Sequence, residues 1–451
     1  MSTINNTEIY SLGSAVEVLK EKIQSIPESH AFARIEIEIE PVDLLAWISQ
    51  QKSWTKIFWE GRDDQFRVAA IGYADMIKDD NKTPREIVER ISRVLKDAPE
   101  SMRYYGGFAF DPENIHSIWK KFGRNYFILP QFEIISSSNK TILACNIHTN
   151  SNISQILKEL NEIIINYGPL YTRIPEPDCR LDMPDKKEWQ QTLQKNIDAF
   201  DEGEGAYEKV VLARKTSFIF HPTLNPYAII SRLKNLTSNC FLFGIQINDE
   251  LAFIGASPER LYKRVGNNIQ TEAIAGTRPR GATPEEDKKL QDELKNSPKD
   301  AKEHQLVVDM IQNTLEPLCT NLNIEQGTEV LPSRRGHHLV TGFQGQLSGG
   351  TDDGALIQAL HPTPAVAGCP TELALKTIRE DESFSRGWYC GPVGYIGKDC
   401  AEFVVAIRSG LVHNNVLHLF SGAGIVKGSD PDEEWEEIEN KIGCYLKLFE
   451  S

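Results

Sequence analysis

Short apolar segments interrupted by glycines dominate the last third of the sequence, and they limit the possible folds more than any other feature. Each segment predicts a strand that is broken or ended at a glycine. Amphipathic stretches at 284–295, 300–316 and 431–449 have the period of helices and accompany these strands. This part of the chain is therefore predicted to mix helices with many short strands. The clearest glycine-interrupted segments are GFQGQLSGG, GWYCGPVGYIG and LFSGAGIVKG.

The first part of the chain, to about Pro177, alternates strand-like and helical segments and contains few chemical signatures. Residues 57–74 predict two strands around a charged turn, and 82–98 predict an amphipathic helix that Pro84 opens. Residues 173–184 are rich in proline and are predicted to be a connection.

The middle of the chain has clearer periodicity. Trp189, Leu193, Ile197 and Phe200 recur at helical spacing and predict a helix over 186–202. The next elements are predicted to be a strand from Lys209 to Phe220, a short helix opened by Asn225 and Pro226, and a pair of strands at 240–247 and 251–257.

Composition excludes several classes of protein. The 451 residues are 40% hydrophobic and 25% charged, which is typical of a globular chain. The net charge is −15, with no Lys/Arg run among aromatics, which argues against nucleic acid or an anionic membrane as a partner. The start MSTINNTEIY lacks a signal peptide, and no run of about 18 apolar residues occurs, so we expect a cytoplasmic protein. The eight scattered cysteines form no zinc-finger pattern and are expected to be reduced and buried.

Acidic residues occur at predicted apolar positions on two helices. In the helix beginning near Asp300, Glu303 is predicted to lie in the middle of the apolar face. That face is formed by Leu306, Val307, Met310, Ile311 and Leu315. A carboxylate buried alone is too costly to stay ionised, so it needs a cation, a metal or a raised pKa.

The last helix repeats this pattern. Its inner face is predicted to contain Trp435, Ile438, Ile442, Tyr445 and Phe449, and its outer face Glu433, Glu436, Glu439 and Lys447. Glu434, Glu437 and Lys441 lie on or beside the inner face. Each carboxylate could instead reach solvent or pair with a lysine such as Lys441. For the whole set, one shared divalent cation is the simpler explanation, and oxygen-only ligation suits Mg²⁺.

Lys209 is a candidate general base. Alternation along the strand places it on the same face as Val211 and Ala213. If that face looks into a pocket, burial would lower the pKa of the lysine toward neutrality. The alternative is a lysine at a strand end that reaches solvent.

Anion-binding features lie in the C-terminal third. The glycine-rich segment 421–430 exposes backbone N–H groups that can hold a carboxylate, and Arg408 offers a planar guanidinium. A dinucleotide-binding fingerprint is excluded, because Lys427 stands where the third glycine would be and no βαβ unit surrounds the segment.

Nine segments, in order, resemble the chorismate-utilising enzymes, a family that includes isochorismate, salicylate, aminodeoxychorismate and anthranilate synthases. The resemblance spans about 187–448, and the N-terminal part is matched only loosely. The segments are EKVVLAR, GASPERL, TEAIAGTRPRG, KDAKEHQLVVDMI, HHLVTGFQGQL, HPTPAVAGCP, GWYCGPVGYIG, EFVVAIRSG and FSGAGIVKGSDPDEEWEEIENK.

The resemblance implies an α/β (α+β) fold, with one large domain of two stacked antiparallel β-sheets flanked by helices and a cleft between the layers. Residues 1–180 would be the variable N-terminal part of that domain, and 187–448 the chorismate-binding catalytic region. A monomer with chorismate as its small-molecule substrate is expected.

The resemblance also implies roles for individual residues. Lys209 would be the general base and Glu259 the general acid. Glu303 and Glu437 would bind Mg²⁺, with Asp300 and Glu434 as acidic neighbours. The substrate would contact Ala275, Gly276, Thr277, His338, Tyr389, Arg408, Gly422, Gly424 and Lys441.

Two positions distinguish the activities within the family. Members that add ammonia carry glutamine in place of Lys209, and salicylate-forming members favour threonine at the position of Ala365. Lysine together with alanine therefore implies that the product stays at isochorismate, formed when water attacks C2 and the C4 hydroxyl leaves. The resemblance implies that this product feeds menaquinone or siderophore synthesis, and the long N-terminal segment favours the menaquinone-type enzymes. The alternatives are a salicylate synthase and a non-catalytic chorismate-binding protein.

Overall fold

The computed structural model describes residues 9–27, 32–53, 55–62, 66–149, 151–201, 208–325, 328–332 and 336–449. Within these ranges, some side chains lie outside the described part: those of Asp201, Thr277, Pro279, Lys299, Glu303, Leu331 and Pro332.

The helices are numbered α1 to α11 in chain order. They are Leu12–Gln24, Leu44–Gln50, Pro84–Leu95, Ile153–Asn161, Lys186–Asp201, Pro226–Leu236, Pro284–Lys295, Pro298–Leu315, Asp353–Leu360, Thr371–Asp381 and Pro431–Leu446.

The strands are numbered β1 to β22 in the same way. They are Ala33–Ile39, Lys56–Glu60, Phe66–Ile71, Asp75–Ile77, Arg103–Phe108, Asn125–Leu129, Phe132–Ser137, Thr141–Ile147, Cys179–Met183, Lys209–Ile219, Phe241–Gln246, Leu251–Ser257, Arg260–Val265, Asn268–Pro279, Cys319–Ile324, Glu329–Pro332, Gly336–Leu347, Gly368–Cys369, Pro392–Gly397, Cys400–Val405, Ser409–His413 and Val416–Ile425.

The described strands form two antiparallel sheets. The first, sheet A, has the order β1-β8-β7-β3-β2-β11-β12-β21-β22-β10-β18, and β9 also pairs with β10. The second, sheet B, has the order β15-β17-β14-β13-β20-β19-β5-β6-β4, and β16 also pairs with β17. The sheets stack with helices around them in one domain, which confirms the predicted fold class.

Strands from the first half of the chain lie within both sheets. In sheet A, β2 pairs with β11 from Leu242–Glu60 to Gln246–Lys56. In sheet B, β5 pairs with β19, with Tyr105 opposite Tyr395. The two halves of the chain therefore share both sheets.

One two-stranded ribbon passes from sheet A to sheet B. β12 pairs with β21 in sheet A, and the continuations of the same chain segments, β13 and β20, pair in sheet B. Glu259 and Arg408 lie in the two short segments at this crossing. Backbone hydrogen bonds hold the crossing, because Val405 N donates to the Glu259 carbonyl and Ala256 N donates to the Arg408 carbonyl, both at 3.1 Å.

Apolar side chains fill both sides of sheet A. One cluster combines residues of both sheets, and Trp59 of β2 contacts Tyr395 of β19 with ring centroids 5.7 Å apart. A second cluster lies between the other face of sheet A and the helices α1, α2, α4, α6 and α11. In the described part of the chain, no helix combines the length and the apolar character needed to span a bilayer.

Most of the predicted elements are confirmed, including the strand pair β2–β3, helix α3 after Pro84 and the strand that begins at Lys209. Local signals explain them. At α3, for example, Thr83 and Glu86 form a capping box, and Pro84 occupies the first turn.

Four predictions were wrong. Residues 173–184 are not only a connection, because β9 lies within them and pairs with β10. Leu306 is 52% exposed, so it lies off the buried face of α8, which is formed by Asp300, His304, Val307, Val308, Ile311 and Leu315. Glu439 does not face outward, because it pairs with the fully buried Arg214 at 2.5 Å. Cys179 and Cys369 are exposed.

Candidate functional site

Lys209 lies at the start of β10, where three chain segments meet. It is paired with Cys369 of β18 on one side, and the next residue, Val210, is paired with Ile425 of β22 on the other. Its half-buried side chain passes over Gly424, where a Cβ would approach Lys209 Cε to 2.7 Å. Glycine at 424 therefore leaves the room that the lysine occupies.

Glu259 lies close enough to Lys209 for the charge of the lysine to act on its carboxyl group. Burial and the nearby carboxylate of Glu272 raise the pKa of Glu259 from 4.5 to about 7. Lys209, Arg408 and Lys441 are close enough to act in the opposite direction. A carboxyl group in this environment carries a proton for a large part of the time at neutral pH, which suits proton donation.

Arg408 is held in an uncommon backbone conformation. Its φ is +48°, in the left-handed region that a residue with a side chain rarely adopts. The Tyr445 hydroxyl of α11 donates to the Arg408 carbonyl at 3.0 Å, which helps to fix this conformation. The charge of its guanidinium acts on both Glu259 and His338, so Arg408 lies near both residues.

His338 and the segment Ala275–Thr277 lie side by side in sheet B. The pairing of β14 with β17 shifts register between Ala275 and Thr277, and Gly276 at this bulge has a φ of +67°. The His338 ring bonds to the backbone of Gly276. Burial, together with the charge of Arg408, lowers the pKa of His338 to about 4, so its imidazole is neutral at physiological pH.

A further edge of the site is formed by Gly422, Tyr389 and Lys441. Lys441 Nζ donates to the Gly422 carbonyl at 2.8 Å, and a Cβ at Gly422 would lie 3.3 Å from the Tyr389 hydroxyl. Tyr389 is buried and its ring stacks on Phe420 at 5.3 Å. Glycine at 422 therefore leaves room for the Tyr389 hydroxyl and for the Leu212 carbonyl, which a Cβ would approach to 3.0 Å.

The predicted acidic residues have different surroundings. Glu437 is half exposed and pairs with Lys441 at 2.6 Å. Glu434 accepts a hydrogen bond from the Ser429 hydroxyl at 2.9 Å. Asp300 is buried and pairs with Arg278 at 2.6 Å. The side chains of Glu303 and Thr277 lie outside the described part, so their predicted contacts stay predictions.

Within the described residues, no three His, Cys, Asp or Glu side chains form a group that could hold a metal ion. The donor chemistry of α11 nevertheless suits Mg²⁺, which prefers oxygen ligands and takes only one or two carboxylates from a protein when water and substrate complete its shell. Glu437 supplies such a carboxylate at the edge where Lys441 lies.

Sequence reasoning missed a buried pair that borders the strand of Lys209. On the edge of β10, between its contacts with β18 and β9, two backbone groups bond to side chains instead of to a strand. The Ala213 N–H donates to Glu382 at 2.8 Å, and Arg386 donates to the Val211 carbonyl at 2.6 Å. Both side chains are 3% exposed. No local sequence pattern reveals this role, because the pair lies about 170 residues from the strand.

Sequence reasoning also missed Glu272, which lies in the quoted segment TEAIAGTRPRG three residues before Ala275. Its charge acts on Glu259. Strand alternation alone does not distinguish a carboxylate near the site from one in solvent.

Comparison with known families gives a match over nearly the whole chain. The profile of the family described as chorismate binding enzyme matches residues 17–450.

Individual relatives cover the chain to a similar extent. Isochorismate synthase MenF of Escherichia coli (strain K12) is 31% identical, over 98% of this chain and 99% of that protein. Isochorismate synthase 2, chloroplastic, of Arabidopsis thaliana is 30% identical, over 95% of this chain and 82% of that protein. The solved structure described as MenF, the menaquinone-specific isochorismate synthase from Escherichia coli, superposes with a TM-score of 0.88, covering 98% of this chain and 100% of that one at 30% identity.

Proposed function

The chain belongs to the chorismate binding enzyme family, and from that premise we propose that it is an isochorismate synthase, an isomerase that converts chorismate to isochorismate. The observation that carries the proposal is the pairing of Lys209 with Glu259. One residue can accept a proton and the other can donate one, and Lys209 lies near enough to Glu259 for its charge to act on that carboxyl group.

The proposed reaction moves a hydroxyl group around the ring. Lys209 accepts a proton from water as the water oxygen bonds to C2. The ring double bonds shift, the bond from C4 to its hydroxyl breaks, and Glu259 donates a proton so that this hydroxyl leaves as water. One water enters and one leaves, so substrate and product are isomers. The lysine then returns its proton and the glutamate regains one through solvent. The two ring alcohols are similar in energy, so the reaction is reversible.

Arg408 and Lys441 would hold the substrate carboxylates. Chorismate is a dianion, whereas the protein carries a net charge of −15, so binding needs a locally positive site. Both cations act electrostatically on Glu259 and on His338, which supports a locally positive site near these two residues. Backbone N–H groups around Gly422 and Gly424 would complete carboxylate recognition.

Mg²⁺ is proposed as the cofactor, with Glu303 and Glu437 as its protein ligands and Asp300 and Glu434 as acidic neighbours. When bound, it would stabilise negative charge on a substrate carboxylate. Lys441 pairs with Glu437 at 2.6 Å, so a cation at Glu437 competes with the lysine. Release of Lys441 from Glu437 would free its ammonium group for the substrate.

The product is proposed to feed menaquinone synthesis, on the basis of the similarity to a structure described as menaquinone-specific. Alanine at 365 agrees with a reaction that stops at isochorismate. A salicylate-forming enzyme would instead release pyruvate.

The test is incubation of the pure protein with chorismate and Mg²⁺, followed by chromatography and mass spectrometry of the products. We expect isochorismate, in equilibrium with chorismate from either direction, and no pyruvate. Removal of Mg²⁺ with EDTA should abolish turnover, and added Mg²⁺ should restore it. Salicylate with stoichiometric pyruvate, or unchanged chorismate under all conditions, would contradict the proposal.

The test variant for the general base is Lys209→Ala, and its matched control is Lys215→Ala. Lys209→Ala should lose at least about 10²-fold in kcat, because the base is absent, while chorismate binding measured by calorimetry changes little. Lys215→Ala, six positions after Lys209 and beyond Val211 and Ala213 on the same strand, should keep near-normal kcat.

A further inference from the structure

Arg62 joins two parts of the site. It follows β2, in the N-terminal part of the chain, and its guanidinium donates to both carboxylate oxygens of Glu272, at 2.6 and 2.9 Å. This two-pronged geometry is the strong form of an Arg–carboxylate contact. The same Nη1 donates to the carbonyl of Pro258 at 3.1 Å. Pro258 immediately precedes Glu259, so one guanidinium connects Glu272 with the backbone that carries Glu259.

The surroundings hold this guanidinium in place. The side chains of Arg62 and Glu272 are 17% and 11% exposed, so solvent screens their charges only in part. The guanidinium lies over the Phe241 ring, 5.3 Å from its centroid. Arg260 lies over the same ring at 5.3 Å and pairs with Glu402 at 3.0 Å. Aromatic stacking and ion pairing thus restrict both arginines.

The backbone at Glu259 is fixed as well. Its N–H donates to the Ser257 hydroxyl at 3.2 Å, and its carbonyl accepts from Val405. Charged groups act on its carboxyl group with opposite effects: Glu272 raises its pKa, and Lys209, Arg408 and Lys441 lower it. Of these four, only Glu272 favours the protonated form.

We propose that Arg62 and Glu272 form a positioning pair for Glu259, in which Glu272 keeps the neighbouring carboxyl group protonated and Arg62 holds Glu272 and Pro258 at the required places. The proposal rests on the role of Glu259 as general acid in the proposed function. Neither residue of the pair is assigned a contact with the substrate. The pair gives the N-terminal part of the chain a direct role at the site.

The test of Glu272 is the variant Glu272→Gln, which removes the charge and keeps the shape. The protonation of Glu259 is followed by infrared difference spectroscopy of carboxyl groups, with the Glu259 band assigned from its loss in Glu259→Gln. We expect the pKa of Glu259 to fall by roughly one unit in Glu272→Gln. If the pH midpoint at which the Glu259 band titrates is the same in Glu272→Gln as in wild type, the proposal is overturned.

The matched control for Glu272 is Glu402→Gln. Glu402 belongs to the other Arg–Glu pair on the Phe241 ring, so its substitution causes a similar local loss of an ion pair. In this control we expect the pKa of Glu259, read from the pH titration of its band, to stay within a few tenths of a unit of the wild-type value. An equal shift in both variants would mean that general charge removal explains the effect, and it would overturn the specific role of Glu272.

The test of Arg62 is kinetic. Arg62→Met should lower kcat about tenfold and change the KM for chorismate less than twofold, because it affects the proton donor and not the carboxylate-binding groups. Arg62→Lys restores the charge without the two-pronged geometry and should give an intermediate kcat. Normal kcat in Arg62→Met would overturn the proposal.

The outcomes separate this inference from the proposed function. If the wild-type protein makes no isochorismate, the proposed function fails. If it makes isochorismate and the Glu259 band does not respond to Glu272→Gln, only the positioning role fails.

Discussion

Glu259 shows how surroundings, not residue type, give a side chain its chemistry. The chain has 64 acidic residues, and the pKa of this one is raised to about 7 by burial and by a second carboxylate. His338 shows the reverse, because burial and the charge of Arg408 lower its pKa to about 4. A proton donor and a neutral imidazole thus lie within one site at neutral pH.

The raised pKa of Glu259 predicts a cost in stability at high pH. The folded state binds this proton more tightly than the unfolded state, so the contribution of Glu259 to stability falls as pH rises from about 4.5 to 7. Glu259→Gln removes this dependence. Its gain in the free energy of unfolding over wild type should grow from near zero at pH 4.5 to ~3 kcal/mol at pH 8.

Urea unfolding at the two pH values measures this gain. The exposed Glu433→Gln serves as the control and should change stability by the same small amount at both. A gain in Glu259→Gln that does not depend on pH would contradict the raised pKa.

The segment that follows helix α10 bonds to strand β10 where the edge of β10 has no neighbouring strand among the described residues. Between β18 and β9, the edge of β10 bonds to Glu382 and Arg386 instead of to a neighbouring strand. Arg386 also donates to the Val366 carbonyl at 2.8 Å, so it joins β10 to the loop that contains Ala365. The pair therefore positions the strand that begins at Lys209.

Arg386→Met should destabilise the protein by about 3–5 kcal/mol, because it leaves the buried Glu382 carboxylate without its partner. The change is measured as a shift of the urea unfolding midpoint. Lys376 and Glu380 of α10, the helix that ends just before Glu382, have the same four-residue spacing but are exposed and 4.0 Å apart. Lys376→Met should therefore cost less than about 0.5 kcal/mol. Equal losses in the two variants would show that Arg386 is not a buried structural partner.

Local signals predicted most elements correctly. Thr83 and Pro84 begin α3, and Asn225 caps α6 through the N–H of Tyr227. Strand β9 was missed because Pro175, Pro177 and Pro184 flank a short edge strand whose residues are largely exposed, so it lacks an apolar pattern. The position of Leu306 was predicted wrongly. Helical periodicity identifies an apolar face of α8, but it does not determine which part of that face packs against β14.

At the scale of the molecule, the N-terminal and C-terminal halves are not independent units. β2 and β3 continue sheet A beyond β11, and β5 and β6 continue sheet B beyond β19. Trp59 and Tyr395 come from different halves and pack together between the sheets. Removal of either half would expose long unpaired strand edges and apolar core.

We expect the fragment 187–451, which contains the proposed catalytic region, not to fold alone. It should be insoluble or show no cooperative thermal transition by circular dichroism, because β11 and β19 lose their partners. Co-expression with residues 1–186 should restore a soluble complex. A fragment that unfolds cooperatively by itself would show that the N-terminal strands are dispensable for the core.

The sequence by itself determined the type and order of most elements, because caps, prolines and apolar periodicity act over a few residues. Its ordered motifs also indicated the family and the residues of the site. Only the tertiary structure decided which charges meet: Arg62 reaches Glu272 across 210 positions, and Glu439 turns inward to Arg214. The physical reason is that the free energy of a buried charge depends on partners which the fold brings together from distant parts of the chain.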